Sequence, residues 1–398
     1  MSEKLAPLRI GKLEAEFPAV LGGMSIGLTT EEAVSKFVKL GGYGTVAGVG
    51  GGLEEGIVTS RDYLERGYEV LGDRIKKAKN LSKNNNVLVN LMVAVTGYKE
   101  SVGVAVQNKV GGIASGAGLP LDLPGHVMEY AEKYDISPDE TPEMIPIVSS
   151  AKAARVIINR WQRDYGEQWE KIYGKTLLPS AIIVETPNDA GGHLGAKPKD
   201  IGTSEYSLET VVPQLVEMMG RYALDAEYKL WYQGDPEVPF EIPIIAAGGS
   251  WDRGDIDKML ALGAKGVQMS TRFIATDEIN AAQEFKDYHM DNPNNDPIVV
   301  MTSPVGMPGR AYENEFVRRI NRGERIDLGP CVNCLQRCEY RDTKKMSSYC
   351  ILRALHNVRM GYVNDGVLFT GSKGNRLKED RETNSSMVKI MQEITKAA

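Results

Sequence analysis

Residues 242–271 read IPIIAAGGSWDRGDIDKMLALGAKGVQMST. Two short apolar runs, 242–247 and 266–271, enclose a stretch at 252–262 whose apolar residues recur at helical spacing. Strand, helix and strand in that order form a unit whose two strands lie parallel. Both runs are apolar throughout rather than alternating, which suits a sheet covered on both faces. Gly248-Gly249 follow the first run directly, where glycine lets the backbone turn tightly or approach a ligand.

The same rhythm extends toward the N-terminus. Further strand candidates lie at 19–25, 45–49, 87–94, 112–116, 145–149 and 181–186, with helical patterns at 30–40, 61–82, 151–164 and 208–223. Eight strands alternating with helices over about 250 residues predict an α/β fold, a TIM (β/α)8 barrel. An open doubly wound sheet is the alternative and usually holds fewer strands. The barrel is expected to occupy residues 1–325. A mostly helical, cysteine-rich extension follows at 326–398, with a helix around 347–360 and a polar tail. Residues 276–325 read as helix and loop. The segments 161–179 and 224–240 look inserted; their aromatic and charged residues suit lids or the contacts of a homo-oligomer.

Composition narrows the function. The 398 residues are 42% hydrophobic and 25% charged, enough for a sizeable core. A net charge of −6 without a basic stripe argues against a nucleic-acid partner. No run of 18 apolar residues exists, so no membrane span is expected. The N-terminal residues lack a continuous apolar core, so a cytoplasmic protein is expected.

Glycine clusters end five of the strand candidates: Gly22-Gly23, Gly48 with Gly50 to Gly52, Gly116 with Gly118, Gly191-Gly192, and Gly248-Gly249. In a barrel these all reach the C-terminal rim, where active sites are built. Any one pair could serve only a tight turn; five on one rim point to a bound ligand. The loops after strands seven and eight commonly hold a phosphate in barrels, and Gly248, Gly249, Ser270 and Thr271 offer suitable donors. No P-loop pattern and no G-x-G-x-x-G pattern occurs. His193 follows Gly191-Gly192 at the mouth of strand six, where an imidazole can move a proton near neutral pH. The other histidines, His126, His289 and His356, lie in helical or loop contexts and read as surface or packing residues. A phosphate-bearing cofactor in a barrel, close to a proton-transfer histidine, points to a mononucleotide such as FMN.

All four cysteines fall within 20 residues, in CVNCLQRCEYRDTKKMSSYC at 331–350. Cys331, Cys334, Cys338 and Cys350 are spaced C-x2-C-x3-C-x11-C, which suits a [4Fe–4S] cluster or, second, zinc. The nearby Arg337, Arg341, Lys344 and Lys345 would ease thiol deprotonation, or simply form a solvated surface.

GGMSIG, VNLMV, ASGAGLP, PIVSSAKAA, VETPNDAGGHLG, IIAAGGS, GVQMSTRFIAT and SPVGMPGR together resemble the nitronate monooxygenase (2-nitropropane dioxygenase) family, which includes FMN-dependent enoyl-acyl-carrier-protein reductases. The resemblance spans roughly residues 5–320. It implies FMN held by Asn90, Glu185, Gly191, Gly249 and Gln268, Met269, Ser270 and Thr271, with Met24 beside the ring and His193 as the catalytic histidine. VETPNDAGGHLG is one residue longer than the common form; Glu185 stands where glutamine is common, and Ser270 where glycine is. The cysteine spacing is similar to that of [4Fe–4S] flavoenzymes of another barrel family. The resemblance implies an FMN-dependent oxidoreductase acting on small nitronates. The alternatives are an NAD(P)H-dependent reductase of acyl-thioester substrates using FMN and an iron–sulfur cluster, and a flavin and iron–sulfur subunit that passes electrons to a partner.

Overall fold

The computed structural model describes residues 4–53, 59–224 and 241–396. Eight parallel strands close into a barrel. They are β1 (Ala19–Leu21), β2 (Tyr43–Ala47), β3 (Val87–Met92), β4 (Gly112–Gly116), β5 (Glu143–Val148), β6 (Ile182–Glu185), β7 (Ile244–Ala247) and β8 (Gly266–Met269). β8 pairs with β1 through Val267↔Ala19, Gln268↔Val20 and Met269↔Leu21, which closes the ring. Each predicted strand is present in the predicted order. Most stop a few residues short of their apolar runs, β1 and β2 directly before glycines at the rim.

The barrel is filled rather than hollow. Val20, Leu88, Ala114, Ile145, Ile183 and Ile245 pack inward with Leu8, Ile10, Leu13 and Ala15 of an N-terminal hairpin, Leu8–Ile10 with Leu13–Ala15. That hairpin stoppers the lower end, and the Tyr43 hydroxyl donates to the Leu8 carbonyl at 3.0 Å. Sealing one end leaves the opposite rim as the open face.

The helices cover the outside, with their apolar faces in the main core. They are α1 (Glu31–Lys39), α2 (Ser60–Ser82), α3 (Tyr98–Gln107), α4 (Leu123–Lys133), α5 (Ala151–Tyr173), α6 (Leu208–Leu224) and α7 (Arg253–Ala261). Asp252 and Asp255 form a capping box at the start of α7, satisfying two otherwise orphaned N–H groups. Much of the segment 161–179 proves to be the later turns of α5. Trp161 and Trp169 are buried there, and the Trp161 indole donates to the Pro120 carbonyl at 2.8 Å. Residues 225–240, most of the second inserted segment, lie outside the described residues.

Residues 276–325 differ from the helix-and-loop expectation. After α8 (Gln283–Asp291), an antiparallel hairpin of β9 (Ile298–Thr302) and β10 (Pro308–Tyr312) crosses the rim. β10 begins Pro-Gly, a pair that reads as a turn, so its strand character is hidden. β10 also pairs with the two-residue strand Gly192–His193. α9 (Glu315–Asn321) follows, and later α10 (Ile351–Arg359) begins at Cys350.

The final segment is not simply a polar tail. α11 (Met387–Thr395) buries Met387, Ile390, Met391 and Ile394, an i, i+3, i+4, i+7 stripe packed on the barrel side at α7. Arg272, buried at the end of β8, pairs with Glu393 at 2.8 Å. Among the described residues, no helix is long and apolar enough to cross a membrane.

Two residues test how this shell is held. Asn314 is fully buried; its Oδ1 accepts from the Val317 N–H, and its Nδ2 donates to the Val363 and Gly366 carbonyls. Asn314→Ala removes a helix cap and strands two carbonyls, so it should cost on the order of 2–3 kcal/mol. The readout is a lower urea midpoint at unchanged m-value. His289 is buried against Phe285 and Tyr312, and neither of its ring nitrogens has a hydrogen-bond partner. Burial lowers its pKa from 6.5 to about 3. A lowered folded pKa gives stability that is present above the unfolded value and is lost as pH falls from 6.5 toward 3. His289→Phe should therefore gain on the wild type as urea unfolding is repeated from pH 7 down to pH 4. Parallel pH curves for the two proteins would refute the assignment.

Candidate active site

The open rim carries a cavity of about 870 Å³. Its floor is made by the strand ends and the loops after them. Met24, Asn90, Glu185, Gly191, His193, Gly248, Gly249, Gln268, Met269, Ser270 and Thr271, singled out in sequence from five strand ends, all line it. Its roof comes from the β9–β10 connection and from residues beyond 326, among them Cys334, Leu335, Ile351, Leu352, Phe369, Thr370 and Gly371.

One end is built from backbone. Gly248 and Gly249 have φ of +99° and +77°, a left-handed geometry that side chains resist. Gly191 packs so tightly that a Cβ there would lie 2.6 Å from the Thr370 carbonyl carbon. The Thr271 hydroxyl accepts from the Gly371 N–H at 2.9 Å, and Ser372 donates to Asp189 at 2.7 Å, so three loops are stitched together. Into this cradle comes the Ser250 hydroxyl, buried and without a hydrogen-bond partner. An orphaned donor beside glycine N–H groups fits an anionic oxygen such as a phosphate's.

The middle of the floor is polar in a different way. Asn90 on β3, Glu185 on β6 and Gln268 on β8 offer amide and carboxyl groups from separate strands. Burial, with no charged neighbour, pushes the Glu185 carboxyl up to about 7. It can therefore be a neutral donor near physiological pH. Such a set can satisfy the mixed donors and acceptors of a flat heterocycle.

His193 is positioned by backbone pairing. It faces Gly309 across the ladder, and the Leu194 N–H donates to the Pro308 carbonyl at 2.8 Å. The Arg310 guanidinium, buried under the loop, donates to the Ala190 and Pro187 carbonyls and fixes the approach to His193. The His193 Nε2 hydrogen-bonds Ser303 Oγ at 2.8 Å, and its ring meets Phe369 edge to face at 5.1 Å. Burial lowers its pKa to about 4, so the imidazole is neutral at pH 7 and can accept a proton. The buried Tyr349 hydroxyl faces Ser303 from the other side without closing a regular hydrogen bond.

Ser303, Tyr349, Phe369, Thr370 and Arg310 were not picked out in sequence. Their signals were weak: SPVGMPGR holds two of them, and VLFTG at 367–371 has the apolar-run-then-glycine form of the barrel strand ends.

The cysteines are all free thiols. Cys331 is exposed and Cys350 is buried with Ile26, Leu53 and Tyr63. Only Cys334 of the four lines the cavity. The expected metal centre is not seen as such: among the described residues, no three Cys, His, Asp or Glu side chains are set to hold one ion. The four thiols lie in unlike surroundings, from solvent to apolar core.

Comparison with known proteins bears on the family and the fold. A probable nitronate monooxygenase of Staphylococcus saprophyticus is 23% identical over 344 residues, covering 80% of this chain and 81% of the relative. One from Staphylococcus aureus is 29% identical over 148 residues, which is 34% of that protein's length. Among solved structures, FabK from Thermotoga maritima superposes with a TM-score of 0.62 at 20% identity, covering 96% of this chain and 92% of that one. Nitroalkane oxidase from Streptomyces ansochromogenes gives 0.63 at 17% identity, covering 96% and 95%. These structural likenesses concern the fold. The sequence profile of the nitronate monooxygenase family matches residues 6–395, and the chain belongs to that family of oxidoreductases.

Proposed function

We propose that this protein is an FMN-dependent oxidoreductase that oxidises small nitroalkanes and their nitronates. The observation that carries the reading is His193: a buried, neutral imidazole held by Ser303 at the wall of a cavity whose far end fits a phosphate. FMN would supply the redox chemistry. The chain's own part is to bind, orient and move a proton. Gly248, Gly249, Ser250, Ser270 and Thr271 are the phosphate donors. Asn90, Glu185 and Gln268 would address the ring, and Met24, Met269 and Gly191 line the same cavity. His193 takes the proton from the carbon bearing the nitro group. The Ser303 oxygen, 2.8 Å from Nε2, then steadies the imidazolium that forms.

The second reading is an NAD(P)H-dependent reductase of enoyl thioesters using FMN and an iron–sulfur cluster. It is favoured by the apolar roof of Leu335, Ile351, Leu352 and Leu355, which suits an acyl chain. A flavin and iron–sulfur subunit that only relays electrons to a partner is disfavoured, because a relay needs no proton-transfer residue. A cytoplasmic location is consistent with either enzyme.

The discriminating experiment is anaerobic reduction of the bound flavin. With 2-nitropropane, His193→Ala should slow reduction by about 100-fold or more, whereas the preformed nitronate should lose much less. Ser303→Ala should give a smaller loss with nitroalkane. Bleaching by NAD(P)H followed by reoxidation with an enoyl thioester would select the second reading. An unchanged His193→Ala protein would sink both enzymatic readings.

Glu185 gives a separate check. Its carboxyl is neutral below about 7 and anionic above it. Flavin affinity of the apoprotein should fall between pH 6 and 8, and Glu185→Gln should abolish that slope in a fluorescence titration.

A further inference from the structure

The proposed function leaves four thiols without a task, one of them, Cys334, at the cavity wall. Cys331, Cys334 and Cys338 sit on one loop, and Cys350 caps α10. The fold brings them together: Cys350 and Val332 share a buried cluster against which Cys334 packs, and Cys331 and Cys338 lie near enough to act on both electrostatically. Two backbone N–H groups are aimed at sulfur. That of Asn333 donates to Cys331 Sγ at 3.4 Å, and that of Arg353 to Cys350. Asn333 has φ of +54°, the left-handed step that reverses the chain between Cys331 and Cys334.

Backbone hydrogen bonds tie the loop to the residues after β3. The Thr96 N–H donates to the Cys334 carbonyl and the Gln336 N–H to the Ala94 carbonyl, both at 3.0 Å. Arg341 donates to the Leu335 and Gln336 carbonyls and lies near Cys331 and Cys338. The placement favours a redox centre. Cys334 is itself wall of the cavity. Cys350 follows Tyr349, whose hydroxyl faces the serine that holds His193.

We propose that Cys331, Cys334, Cys338 and Cys350 form a four-thiolate site for an iron–sulfur cluster against the wall of the active-site cavity. Three cysteines within eight residues and a distant fourth can surround a four-iron cluster, and N–H groups directed at sulfur tune such centres. The donor atoms are not set around one ion, so side-chain rotation would accompany binding; exposed Cys331 marks the entry side.

The test is metal analysis of full-length protein purified without air, before and after incubation with ferrous iron and sulfide. About four irons and four sulfides per chain are expected. With them should come an absorption band beyond the flavin's that dithionite bleaches and an electron paramagnetic resonance signal in the reduced state. Cys334→Ser and Cys338→Ser should lose iron while keeping flavin. Zinc in place of iron, or no iron after reconstitution, would overturn the proposal. Should the variants not fold, the wild-type metal count decides alone. The inference rests on the flavin reading only for its location: iron without flavin would defeat that reading and leave this one standing.

Discussion

The pairing of β8 with β1 is the constraint on which the rest depends. Once Val267 to Met269 hydrogen-bond alongside Ala19 to Leu21, the sheet has no edge and all eight strands point the same way. The interior is too narrow for anything but side chains, and Val20, Leu88, Ile145, Ile183 and Ile245 fill it with the help of the N-terminal hairpin. Ligands are thereby excluded from the core and from the stoppered end. Loops that are up to about 250 residues apart in sequence are driven to one rim, and the glycines at the strand ends let backbone groups face the space they enclose.

The barrel alone does not complete the site. His193 owes its position to a ladder with β10, to the hold of Arg310 on the loop before it, and to Ser303 on the connection between β9 and β10. Covering the imidazole in this way has an electrostatic effect as well as a geometric one. Loss of solvent disfavours its charged form, which keeps it ready to receive a proton. Glu185, also enclosed, is moved the opposite way because its charged form is the deprotonated one. One enclosed space therefore drives a base and an acid toward neutrality together.

The barrel was legible because its signals are local. Apolar runs, helical periodicity and strand-end glycines each lie within a few residues, and β7, α7 and β8 could be read from 30 consecutive residues. The floor of the cavity was legible for the same reason, since its residues sit at those strand ends. The roof was not. β10 starts with Pro-Gly, nothing local shows that Ser303 meets a histidine 110 residues away, and Phe369 matters only because the fold sets its ring against His193. The tail looked polar because the apolar stripe of α11 is diluted by Lys389, Gln392 and Glu393 on its other face. For the cysteines, spacing was visible in sequence, while the surroundings that separate a thiol in solvent from one in the core were not.

The roof has a consequence for the order of events in the cell. The cavity is closed by Phe369, Thr370 and Gly371, and α11 beyond them is buried on the barrel side. A chain emerging from the ribosome can finish every strand of its barrel while more than a hundred residues are still to be made. During that interval the rim is uncovered and the Gly371 N–H that will meet Thr271 does not yet exist. Covering of the rim therefore follows completion of the barrel's strands, and the cavity takes its full shape only once residues 369–371 have been added.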